Sequence, residues 1–79
     1  MNTIMLPPDP DGQNGDRAGW AQKALAAFKE ETHCDDEDTL CDLLCDLMHQ
    51  CDRDGVSFDE QLDRARSHYK VEIDPEAWR

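Results

Sequence analysis

Between Asp36 and Asp54 the chain reads DEDTLCDLLCDLMHQCDRD, and the placement of its apolar residues leaves few folds open. Leu40, Leu43, Leu44, Leu47, Met48 and Cys51 recur at the three- and four-residue intervals that gather side chains on one face of an α-helix. The opposite face carries Asp42, Asp46, His49 and Arg53. Asp35, Asp36, Glu37 and Asp38 stand at its start, where the unsatisfied amides of a helix N-terminus favour negative charge. A stripe this wide needs neighbours to cover it, so the flanking sequence has to supply them.

Two further helices are expected. Asp16 is placed to cap RAGWAQKALAAFKEETH, in which Trp20, Ala21, Ala24, Leu25, Ala27 and Phe28 fall on one side at 100° per residue. The connection around Thr32 to Asp36 is short, which makes the first two helices antiparallel neighbours, with Asp35 or Asp36 as the N-cap of the second. Gly55 follows Asp54 at the left-handed position that ends many helices. Ser57 and Glu60 then form a capping-box pair, and Phe58, Leu62, Ala65 and Tyr69 give the third helix a single apolar stripe ending between Tyr69 and Glu72. Asp74-Pro75 marks a break before a tail or last turn, Glu76 to Arg79, whose Trp78 has two options, folded back on the helices or exposed.

The expectation is an all-α fold, a small three-helix bundle over residues 16–79 with its core drawn from Trp20, Leu25, Phe28, the central leucines, Phe58, Leu62 and Tyr69. In 79 residues such a core supplies only a few kcal/mol. Residues 1–15, MNTIMLPPDPDGQNG, hold three prolines and two glycines without periodicity, so they are expected to form a flexible arm whose Ile4, Met5 and Leu6 can reach the core or a partner.

Charge narrows the choice of partner. Lys and Arg number 8 against 19 Asp and Glu, a formal charge of −11, which repels nucleic acid and anionic membranes, so neither is expected to bind directly. No stretch approaches the length of a membrane-spanning helix, and Met1–Pro8 lacks the basic start and apolar run of a secretory leader. The expectation is a monomer in the bacterial cytoplasm. There Cys34, Cys41, Cys45 and Cys51 stay reduced, with Cys51 in the core and Cys41 and Cys45 at the edge of the apolar face.

From Glu30 to Asp52 the chain has nine acids and no Lys or Arg, whereas Arg53 to Lys70 balances four bases with four acids. Asp38, Asp42 and Asp46 recur every four residues, about 6 Å apart along a helix, at a cost of a few tenths of a kcal/mol per like-charged pair. The bland explanation is a solvated face that keeps a small protein soluble. The functional one is a line of negative charge presented to the Lys and Arg arrays that otherwise grip DNA. Under that reading the contact residues are Asp38, Asp42 and Asp46, aided by Glu30, Glu31, Asp35, Asp36 and Glu37.

Catalytic and metal motifs fit poorly. Aligning Gly55 with the glycine of a calcium-binding loop puts Gln50 and Gln61 where acids are needed. Cys41, Cys45 and His49 share one flank of the central helix, yet a zinc site there lacks paired ligands from a tight turn and would need Cys34 or His33 as a fourth. Asp42, Asp46, Glu30 and Glu31 resemble only thinly the magnesium-binding glutamate clusters of all-helical nucleotide pyrophosphatases. Around Cys45 and His49 the aspartates oppose formation of a thiolate. No enzyme activity, cofactor or metal is expected.

The segment from Thr39 to Tyr69, TLCDLLCDLMHQCDRDGVSFDEQLDRARSHY, resembles small uncharacterised bacterial proteins with a D-L-L-x-D-L-M-H core and a terminal A-R-x-H-Y. In size, acidity and helical make-up the whole chain also resembles anti-CRISPR proteins of phages and other mobile elements, several of which are DNA mimics. That second resemblance implies an inhibitor that blocks the basic, flanking-motif-reading groove of a CRISPR surveillance complex or a comparable DNA-binding protein. The alternative is a small interaction module that engages its partner through an apolar helix face or the N-terminal arm.

Overall fold

The computed structural model describes residues 5–78, so Ile4 of the expected arm and Arg79 of the expected tail lie outside the described residues. Three helices, α1 (Asn14–Thr32), α2 (Thr39–Asp54) and α3 (Phe58–Glu72), precede a single 3-10 turn, Pro75–Trp78. No strand occurs among the described residues. The fold is all-α as expected, with α1 and α3 each packed on α2.

The signals between α2 and α3 act as their chemistry dictates. Gly55 takes φ +70°, and its amide donates to the Cys51 carbonyl. The Ser57 hydroxyl accepts from the Glu60 amide at 3.2 Å. Replacing that hydroxyl leaves an amide of the first turn of α3 without its partner, so Ser57→Ala is expected to destabilise the fold by about 1 kcal/mol, read from the urea midpoint at unchanged slope.

The first two helices start elsewhere than expected. Neither Asp35 nor Asp36 caps α2, because Asp35 to Asp38 close a turn of their own through the Asp38 amide and the Asp35 carbonyl at 3.0 Å. The Thr39 hydroxyl donates to that same carbonyl at 3.0 Å and lies 3.5 Å from Cys34 Sγ. Asp38 thus occupies the cap position without a side-chain bond. At the other end of this connection His33 takes φ 58° and donates its amide to the Lys29 carbonyl at 2.8 Å. A left-handed residue with a Cβ is disfavoured by about 1 kcal/mol or more, and the helix end accepts that in place of glycine.

Helix α1 begins at Asn14, which places Asp16 in its first turn rather than at its cap. Acceptors from upstream do the capping: Asp9 Oδ1 takes the Asn14 amide at 3.2 Å, and Asp11 Oδ1 takes the Gln13 amide at 3.1 Å. The segment expected as a flexible arm therefore divides. Met5 and Leu6 are exposed, residues 9–13 form a hydrogen-bonded turn with Gly12 at φ +72°, and Asn14 and Gly15 already belong to α1.

The expected core is thinner than a closed bundle would have. No apolar side chain among the described residues is fully buried, and Thr39 is the buried residue. Leu25, Phe28, Leu43, Cys51, Phe58 and Leu62 are half-buried, while Trp20 and Tyr69, both expected inside, are 63% and 46% exposed. On α2 the covered side is the flank that bears Thr39 and Leu43, and the centre of the stripe, Leu40, Leu44, Leu47 and Met48, faces solvent. The helices are correspondingly spread: the radius of gyration is 15.1 Å, against about 11.6 Å for a compact chain of this length. Trp78 meets both alternatives in part: its indole N–H donates to the Val71 carbonyl at 2.8 Å, which draws the last turn back onto the end of α3, while the side chain stays 47% exposed.

Candidate interaction surfaces

Three surfaces carry chemistry. The first is acidic and runs from the end of α1 through the connection onto α2. Glu30 and Glu31 are exposed near the C-terminal end of α1, where the helix dipole disfavours negative charge. Lys29 beside them forms an ion pair with Asp36 across the connection. The hydrogen bond to that carboxylate holds the Lys29 ammonium above its usual pKa. Asp35, Glu37 and Asp38 bring carboxylate oxygens within 4.8 Å of one another, all exposed. Three like charges gathered this closely favour a cationic neighbour, whether a guanidinium, an ammonium or a hydrated metal ion.

Of the eight residues expected to form the acidic site, seven are exposed, Glu30, Glu31, Asp35, Asp36, Glu37, Asp38 and Asp46, and the carboxylates brought close together are those of Asp35, Glu37 and Asp38. Asp42 differs, being half-buried beside Leu43. The row Asp38–Asp42–Asp46 is open at its ends and partly covered in the middle, because the neighbouring structure covers a flank of α2 next to the acids and leaves the middle of the apolar stripe open.

The second surface is that open middle. Leu40, Cys41, Leu44, Cys45 and Met48 line a shallow groove along α2, with Glu37 at its N-terminal end. Cys41 and Cys45 are exposed members of this groove, at the edge of the stripe as expected, while Cys51 is half-buried.

The third was not foreseen from the sequence. Arg17 donates to both carboxylate oxygens of Asp11, at 3.0 and 2.8 Å, and to Asn14 Oδ1 at 2.6 Å. Its Nε lies 3.3 Å from Glu72 Oε2, and the Asn14 side-chain amide donates to the Glu72 backbone carbonyl at 2.9 Å. This clasp ties the segment before α1 to the end of α3. Beside it a pocket of 460 Å³ opens between Leu6, Pro7, Ala18, Tyr69 and Ile73. The signal that was available is Arg17 itself, the first cation of the chain, six residues after Asp11 in PDPDGQNGDR.

The forked bond from Arg17 holds the Asp11 carboxyl below its usual pKa. A lowered carboxylate pKa contributes stability that is complete above the unfolded value, about 4, and is lost as pH falls through the folded value. Acid titration of the wild type is therefore expected to show a loss of stability below about pH 4 that Asp11→Asn lacks, followed as the thermal midpoint against pH.

Fold and surfaces together define a class: an open, acidic, three-helix protein whose exposed chemistry consists of carboxylates and an apolar helix face. Comparison with family models, curated proteins and solved structures gives no match. No helix among the described residues is long and apolar enough to cross a membrane.

Proposed function

We propose that the protein is an acidic inhibitor that occupies the basic DNA-binding groove of a nucleoprotein effector in place of DNA. One observation carries this reading: seven exposed acids lie on a single continuous stretch, and among the described residues one cation, Lys29, pairs with any of them. Exposed carboxylates of this kind find their partners on Lys and Arg arrays, which bind phosphates for the same electrostatic reason. The resemblance to anti-CRISPR proteins points to a CRISPR surveillance complex as the target class. Readers of the short flanking motif there use Arg or Lys in a duplex groove, which is where such an acidic surface would compete.

The test is capture of partners on the immobilised protein from a nuclease-treated lysate of a host with CRISPR systems, followed by elution with short duplex DNA. Recovery of a DNA-binding complex in the duplex eluate, and its loss when Asp38→Lys and Asp46→Lys are combined, is the expected result. A partner that duplex DNA does not displace counts against mimicry.

The exposed groove on α2 favours one second reading, an interaction module that binds through the apolar helix face. Its affinity would be insensitive to salt and to the charge reversals, and sensitive to Leu44.

A further inference from the structure

We propose that the pocket between the start of α1 and the end of α3 binds a small organic ammonium ion, with its apolar body against Leu6, Ala18, Tyr69 and Ile73 and its charge against the carboxylates of Asp9 and Glu72. The proposal is independent of the acidic surface discussed above, which begins at the other end of α1, a helix about 28 Å long.

Volume and lining set the kind of ligand. At 460 Å³ the pocket falls in the range, about 300 to 1,000 Å³, that holds whole small molecules, and it is wider than the stem of one lysine side chain requires. Its walls are Leu6, Pro7, Ala18, Tyr69 and Ile73, so the body of a ligand there exchanges water for apolar contact. These walls are held in place before anything binds. Gly12 donates its amide to the Asp9 carbonyl at 3.1 Å, Arg17 grips Asp11, and Asn14 reaches the Glu72 carbonyl at 2.9 Å, which fixes the segment before α1 against the end of α3.

Charge selects a cation. Asp9, Arg17 and Glu72 are the charged residues of the lining. The guanidinium is already engaged: Nη1 donates to Asp11 and Asn14, Nη2 donates to Asp11, and Nε faces Glu72. Asp11 lies outside the lining and offsets Arg17 in a forked pair, so an anion entering the pocket would have to displace a carboxylate held by two charge-assisted bonds. That leaves Asp9 and Glu72. Asp9 accepts the Asn14 amide on Oδ1 and Glu72 meets Arg17 on Oε2, but Asp9 Oδ2 and Glu72 Oε1 accept from no group among the described residues. The helix ends point the same way. Asp9 and Asp11 already meet the amides at the start of α1, while the C-terminal end of α3 at Glu72 adds partial negative charge. Tyr69, 46% exposed, offers an aromatic ring to which an ammonium is attracted.

Titration of the isotope-labelled full chain with phenethylammonium chloride, followed by amide chemical shifts, tests the assignment. Saturable shifts at Gly15, Ala18, Tyr69 and Ile73 are expected in the millimolar range, where a ligand of so few atoms binds. Phenylacetate, similar in shape and opposite in charge, is expected to leave those amides unmoved. Asp9→Asn keeps an oxygen for the Asn14 amide and removes one charge, so it should weaken binding about two- to fivefold. Ala18→Leu puts a good helix former into the pocket without touching the Arg17 bonds, and it should abolish the saturable shifts. The absence of saturable shifts in the wild type, an equal response to phenylacetate, or binding unchanged by Ala18→Leu overturns the proposal. So do shifts confined to residues 30–38, where the acidic surface attracts any cation. Equal affinity for Nα-acetyl-lysine amide overturns it in favour of a lysine side chain on another protein.

Discussion

Raising the salt concentration from about 50 to about 200 mM is expected to weaken the complex with a DNA-binding partner by on the order of a hundredfold. A protein making six to ten phosphate contacts loses roughly three to five decades over this interval, mainly through counterions released from the DNA. The acidic surface has seven exposed carboxylates, of which a groove would contact some, and a compact protein condenses fewer counterions than a duplex does. A smaller but still steep slope follows. Combining Asp38→Lys with Asp46→Lys, both exposed, replaces two attractions with two repulsions and is expected to reduce affinity at low salt by a further hundredfold or so, since close charge pairs at such interfaces are worth about 1.5 kcal/mol or more each. Asp42→Lys is the less clean test, because its half-buried position couples binding to folding. Titration at two salt concentrations reads both effects, and an affinity unchanged by salt would transfer the function to the apolar face.

Leu43→Asp is expected to cause a far larger loss of stability than the same change at Leu40 or Met48. Leu43 is half-buried on the covered flank, next to the buried Thr39, whereas Leu40 and Met48 are at least half exposed. Removing its share of burial costs about 1 kcal/mol, and placing a carboxylate against the neighbouring structure adds the desolvation of a charge, for a total of about 3 kcal/mol. A chain of this length has only about 4 to 12 kcal/mol to lose. Urea unfolding followed by helical circular dichroism should show the midpoint collapse toward zero denaturant. The same substitution at Leu40, 60% exposed on the same helix, sets the scale with a much smaller loss.

The three helices were legible because each end near Gly55 and Ser57 is set by local chemistry, a left-handed turn and a hydroxyl cap, which does not depend on the rest of the fold. The starts of α1 and α2 were not, since their capping groups are competed for. Asp35 is taken up in its own turn, and Asp9 and Asp11 reach forward to do what Asp16 was expected to do. The acidic surface was legible as a cluster, its members being close in sequence. The half-burial of Asp42 was not, because it depends on which flank of a wide stripe the neighbours choose. Periodicity states that a helix has an apolar face and says nothing of what lies against each part of it. The exposure of Trp20 and Tyr69 has the same origin, a stripe without the neighbour that would cover it. The Arg17 clasp joins residues 58 positions apart, a distance over which no local pattern carries information.

That separation bears on the order in which the molecule assembles. The contacts of α2 with α1 and with α3 link adjacent segments, whereas the bond from Asn14 to Glu72 closes a loop spanning almost the whole chain. The entropy of bringing such distant ends together is met most easily once the intervening helices are docked, so the clasp should be the last contact to form and the first to open. The amides at the start of α1 would then exchange with solvent well before those in the middle of α2, and transient fraying of the molecule would begin where its two ends meet.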